Sequence, residues 1–166
     1  MTTAGHNQPA MNETFRLHVE ALRPAYERLL ASTPFKFADL AKQVIPKRGV
    51  YLLTEGERHL YVGRSDGIRN RLQDHCRPGA SHLKAAFAFR LTREFCGVTK
   101  ATYKTVGSRK DLMTEPHFKA AFDAQKARLR AMDIRVVEEA DPSRQALLEM
   151  YVSIALATPY NDFGNH

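Results

Sequence analysis

The chain has 166 residues, 43% of them hydrophobic, with 25 Lys and Arg against 18 Asp and Glu for a net charge of +7. That length and apolar content fit one domain with its own hydrophobic core, and no apolar run approaches the roughly 20 residues a membrane-spanning helix needs. Two cysteines, Cys76 and Cys96, are too few for a disulfide framework and lack metal-site spacing. Both are expected to be free thiols in a reducing, cytoplasmic setting. The opening MTTAGHNQPAMN has no apolar stretch of the signal-peptide kind.

Charge is unevenly spread. Residues 1–40 carry four bases and four acids, 41–133 carry 19 bases and nine acids, and 134–166 carry two bases and five acids. A positive middle is the footprint expected of a phosphate-binding surface. The plain alternative is a soluble basic protein with no such partner.

Residues 1–12 are polar and are expected to form a disordered tail. Asn12 is a candidate N-cap for a helix whose apolar stripe is Phe15, Val19, Leu22, Tyr26, Leu29 and Leu30. Pro24 should kink or split that helix. A shorter helix over 35–45, stopped by Pro46, completes a helical N-terminal extension over 13–46.

Residues 49–63 alternate as two strands around the polar turn Glu55-Gly56-Glu57-Arg58. An odd turn, Glu55-Gly56-Glu57 with Thr54 opposite Arg58, places Tyr51 opposite Tyr61 with both phenols on one face. Val50, Leu52, Leu60 and Val62 then face the other way, into the core. A two- or four-residue turn would split the tyrosines. Ser65 or Asp66 caps a helix over 67–76, with Ile68 and Leu72 buried. Arg71 and His75, four apart, share a face of it, and Arg64 lies in the turn leading to it.

Residues 77–133 read as a basic, mostly helical insertion. Helices are expected over 81–94 (stripe Leu83, Phe87, Leu91) and 114–132 (Phe118, Phe122, Leu129), with an alternating basic hairpin over 96–110 between them. Within it Lys100, Lys104, Arg109 and Lys110 flank Tyr103, a combination suited to a DNA groove and to stacking on an exposed base. The alternative is a solvated basic loop. A strand over 134–138 follows, then a helix opened by Pro142 and running to about 157. Gln145, Glu149 and Ser153 form its only polar stripe.

These residues form a set that packing alone does not ask for. Phosphodiester hydrolysis must deprotonate a water, stabilise charge on the phosphorus oxygens and stabilise the leaving oxygen. Tyr51 or Tyr61 is a candidate base, needing neighbouring positive charge to ionise near neutrality. His75 is a candidate proton shuttle. Arg64 and Arg71 suit a phosphate. Glu149 suits Mg²⁺ (or Mn²⁺), which keeps several waters and takes ligands from substrate. Each has a simpler alternative: tyrosines packed on a half-exposed sheet, a structural histidine, surface ion pairs, a solvated helix stripe.

Taken in order, the motifs resemble the GIY-YIG endonuclease family. The name motifs stand as Gly49-Val50-Tyr51 and Tyr61-Val62-Gly63, the helix motif as Arg71-Leu72-Gln73-Asp74-His75, and the distal one as Glu149 followed by Pro159-Tyr160-Asn161. Arg64 departs from the Lys that many members carry. The resemblance covers about 49–76 and 134–162. It implies an α/β fold of α+β type over 47–166, a small three-stranded antiparallel sheet flanked by helices. It also implies Mg²⁺-dependent DNA cleavage, with Tyr51, Tyr61, Arg64, Arg71, His75, Glu149 and Asn161 in the site and Glu149 on the metal. The histidine variant is similar to restriction-type members. The second function to weigh is a DNA-binding or regulatory module that keeps the fold without turnover.

Overall fold

The computed structural model describes residues 11–98 and 104–163. Most of the expected tail, and Lys100 and Tyr103, lie outside the described residues. The fold is mixed, a three-stranded antiparallel sheet flanked by helices. The strands are β1 (Gly49–Glu55), β2 (Arg58–Ser65) and β3 (Asp133–Glu138), in the order β2-β1-β3. The helices are α1 (Glu13–Ala31), α2 (Ile68–Cys76), α3 (Ala86–Phe95), α4 (Arg109–Leu112), α5 (Pro116–Ala131) and α6 (Pro142–Ala155). None of these is long and apolar enough to cross a membrane.

Both sheet faces are covered, which is why β1 is apolar on both sides rather than alternating. Val50, Leu52 and Val62 pack with Ala25 and Leu29 of α1 and Leu148 and Val152 of α6. Tyr51 and Leu53 face Leu72 of α2, Phe87 and Leu91 of α3, and Phe122 and Leu129 of α5. The N-terminal helix and the insertion thus complete the two halves of the core.

The hairpin is built differently from expectation. Glu55 pairs with Arg58, leaving a two-residue turn whose Gly56 has φ +59, a position suited to glycine. That turn alone would put the tyrosines on opposite faces. A bulge between Leu53 and Thr54 adds a residue and shifts the register, so Tyr51 opposes Gly63 and Tyr61 opposes Leu53. The shift returns both phenols to one face. Leu60, the extra residue, packs in the Tyr51 cluster and not with Val50 and Leu52.

Several boundaries also differ. Asn12 caps α1 through Phe15 N–H (3.1 Å). The helix runs unbroken through Pro24, which is exposed, so the carbonyl freed one turn earlier can be met by water. Phe15 and Val19 face solvent, while Ala25 and Leu29 are the buried positions. Residues 35–45 hold only a 3₁₀ segment, Phe37–Lys42, and Phe35 bridges backbone-to-backbone with Ile134. Gly67 caps α2 without a side-chain bond; Ser65 Oγ instead accepts from Gly67 N–H (3.0 Å). Asp66 accepts from Gln145 (3.2 Å). Leu83 is exposed and precedes α3. The described part of 96–110 has no hairpin strand: α4 begins there, capped by Ser108 Oγ accepting from Asp111 N–H (3.1 Å).

Candidate active site

The centre of the site is a crossing. Strand pairing sets Tyr51 against Gly63, and a Cβ at Gly63 would lie 2.3 Å from Tyr51 Oη and 2.5 Å from Cζ. Only the absence of that atom lets the phenol reach over β2. Its hydroxyl meets His75 Nε2 at 2.8 Å. Both residues are fully buried, and His75 Nδ1 is buried without a partner among the described residues. Burial, reinforced by the Arg71 charge, pushes the imidazole down to about 3, so His75 is neutral at physiological pH. Burial, reinforced by Tyr61, raises the Tyr51 phenol well above its ordinary value.

Tyr61 lies beside this pair, its ring centroid 6.2 Å from that of Tyr51 and 5.9 Å from that of His75. Burial raises its phenol, Arg71 pulls it back and Glu149 pushes it up. Arg71, one helical turn before His75, therefore acts on both hydroxyls. One guanidinium nitrogen donates to Lys84 O (3.1 Å), which fixes the arginine between α2 and the segment before α3. This face of the sheet is a buried aromatic centre, not the half-exposed surface usual for strand tyrosines.

Glu149 stands on α6, which covers the opposite face of the sheet, near enough for its charge to act on the Tyr61 phenol. The polar stripe of α6 points inward: Gln145 and Ser153 are buried and Glu149 is partly so, while Met150 and Ile154 face solvent. A solvated polar stripe is thereby excluded. Glu149 Oε2 accepts from Arg64 Nε at 3.0 Å, with the carboxylate side chain only 18% exposed. Burial still outweighs Arg64 and raises the Glu149 carboxyl above its ordinary value. A partly desolvated carboxylate paired with one half-exposed cation fits a Mg²⁺ that needs one protein ligand and takes the rest from water and substrate. Among the described residues no three His, Cys, Asp or Glu side chains gather as a metal cluster, so a site here depends on Glu149 alone.

Asn161 has a different place from the other six. Its Oδ1 accepts from Val62 N–H (2.9 Å) and its Nδ2 donates to Val62 O (2.7 Å). Thr158 Oγ1 donates to the same Oδ1 (2.9 Å). The side-chain amide behaves as one more strand residue along the free edge of β2, holding the segment that carries Tyr61 and Gly63.

Three further residues, Phe87, Arg90 and Tyr160, join the site beyond the seven named from the sequence, where Tyr160 stands only as part of the distal motif. Phe87 of α3 stacks on Tyr61 at 4.7 Å and 21°. Tyr160 packs on Phe87 (5.3 Å), and Arg90 lies over the Tyr160 ring (5.6 Å) while donating to Tyr160 O (2.8 Å). Arg109 sits over Phe89 (5.0 Å), and Lys104 and Lys110 are exposed. Comparison of the chain with family models, with curated proteins and with solved structures gives no match.

Proposed function

We propose that this chain is a Mg²⁺-dependent endonuclease that hydrolyses DNA phosphodiester bonds, as its resemblance to the GIY-YIG family implies. The observation that carries this is the Tyr51–His75 pair, closed over Gly63, with Arg71 and Tyr61 beside it and the partly buried Glu149 near enough for its charge to act on Tyr61. Such a convergence of a neutral imidazole, two phenols, a guanidinium and a carboxylate has no evident packing purpose.

The protonation states define the roles. His75 is neutral and hydrogen-bonded to Tyr51 Oη, and it fixes that buried phenol rather than taking its proton, since burial and the Arg71 charge hold the imidazole near 3. Tyr61, only partly buried and beside Arg71, is the phenol left to take the proton of the attacking water, its ionised form favoured by the Arg71 charge. Arg71 supplies the N–H groups for the negative charge growing on the phosphate, already fixed in place before substrate arrives. Arg64 balances Glu149 in the absence of a cation and, exposed at its outer end, is free to turn to the phosphate. Mg²⁺ on Glu149 would supply charge neutralisation at the phosphate and leaving oxygens.

The test is conversion of supercoiled plasmid to open-circular or linear form by the wild-type chain with Mg²⁺, Mn²⁺ or EDTA. Cleavage with either metal and none in EDTA is expected. Binding without cleavage under every condition would overturn the hydrolase and favour a silent DNA-binding module.

A further inference from the structure

α3 does more than buttress Tyr61. Arg90 and Arg93 stand three residues apart on it, one above the other on the same face. α4 brings Arg109 over Phe89, the residue just before Arg90. The three charges are close enough to act on one another: Arg93 is held below its ordinary value by burial first and then by Arg109 and Arg90. His82, whose ring lies 6.0 Å from that of Phe89, also feels Arg109. Among the described residues neither Arg90 nor Arg109 is in an ion pair. Each is seated instead on an aromatic ring, which positions a guanidinium without neutralising it. Holding like charges together costs stability unless an anion joins them. The cluster also continues directly from the active centre, through Tyr61, Phe87 and Tyr160 to Arg90.

We propose that Arg90, Arg93 and Arg109 form a second phosphate-binding track, separate from Arg71, that holds the DNA backbone flanking the bond to be cut. The planar guanidiniums of Arg90 and Arg109, seated on rings, keep their outer edges for bidentate contact with phosphate oxygens, and Arg93 adds its charge beside them. The identification of the polyanion as DNA rests on the proposed function. The track itself rests on the geometry of α3 and α4. It gives the insertion a purpose beyond packing: it extends the hold on the strand past a small centre that reads a single phosphate.

The experiment measures affinity of the full chain for a short duplex in EDTA, between about 50 and about 200 mM salt. Substitution of Arg90, Arg93 and Arg109 together by Gln should lower the slope of log K against log salt by about 2 to 3, near 0.9 for each phosphate no longer neutralised. Their substitution by Lys keeps the charge and should keep the slope. Arg109→Gln alone, on an exposed position of α4, should remove about 0.9 and guards against misfolding of the triple variant. A wild-type slope in Arg109→Gln and in the folded triple Gln variant would overturn the track, as would an equal loss in the Lys variant or a wild type that does not bind DNA. A wild type that binds with the expected slope changes but never cuts would leave the track standing and remove the hydrolase.

Discussion

Gly63→Ala isolates the crossing on which the site depends. Gly63 is not among the positive-φ glycines, so the backbone accepts Ala, and elsewhere such a change stabilises by about 0.4–1 kcal/mol through the unfolded chain. Here the new methyl would stand 2.3 Å from Tyr51 Oη and 2.5 Å from Cζ. The obstacle is a buried ring with little room to give. Displacing it costs about 1–3 kcal/mol for overpacking and about 1 kcal/mol for the hydrogen bond to His75. The expected loss of about 2–4 kcal/mol should lower the melting temperature by about 4–16 °C at this chain length. Urea unfolding of wild type, Gly63→Ala, Tyr51→Leu and the double variant measures the coupling. With the ring gone, Gly63→Ala should cost almost nothing or stabilise slightly. A Gly63→Ala protein as stable as wild type, or one that loses the same in both backgrounds, would refute the close approach.

Acid should destabilise the fold through His75. Its pKa is lowered in the folded state to about 3, so its contribution is complete above the unfolded value near 6.5 and is lost as pH falls toward 3. About 2 kcal/mol should go between pH 7 and pH 5, and His75→Gln should remove that part of the urea-midpoint slope. Arg71→Ala should slow cleavage by roughly 10²-fold or more with a much smaller loss of affinity; equal losses would make Arg71 an ordinary phosphate clamp. Asn161→Ala strips both Val62 backbone partners on an edge strand and should cost about 1–3 kcal/mol in thermal unfolding. Asn161→Asp keeps the acceptor but sets a carboxylate oxygen against Val62 O, and should cost at least as much as Ala above about pH 5.

Much of the site is legible in the sequence because its residues follow two simple periods. Alternation places the strands, and the four-residue step joins Arg71 to His75. The turn escapes such a reading because alternation reports only the face of each side chain. An odd turn and an even turn with a bulge place both phenols on the same face, and no residue type at Leu53 or Leu60 announces the bulge. The stripe of α1 differs from its apolar pattern because His18, Ala25 and Leu29 mark its inner side only once α6 is in place. The basic segment before α5 does carry a signal for its helix: Ser108-Arg109-Lys110-Asp111 is a capping pattern. Ser108 Oγ accepts from Asp111 N–H, and Asp111 Oδ2 accepts in turn from Gly107 N–H (2.7 Å). Phe87 is invisible as a site residue, since nothing in sequence says which core aromatic meets Tyr61, and Tyr160 stands in the distal motif with no sign that it packs on Phe87. The motif finds Asn161 but not its use, because its partner is backbone.

The most direct measurement is the single-turnover nicking rate of supercoiled plasmid by Glu149→Gln beside wild type in saturating Mg²⁺, with DNA affinity of both measured in EDTA. Glu149→Gln keeps the shape of a half-buried side chain and removes the charge that a cation needs. The expected result is a Mg²⁺-dependent wild-type rate that falls by roughly 10²-fold or more in the variant, with affinity for DNA essentially retained. A variant that nicks as fast as wild type, or a wild type that nicks equally well in EDTA, would contradict a hydrolytic centre built on Glu149.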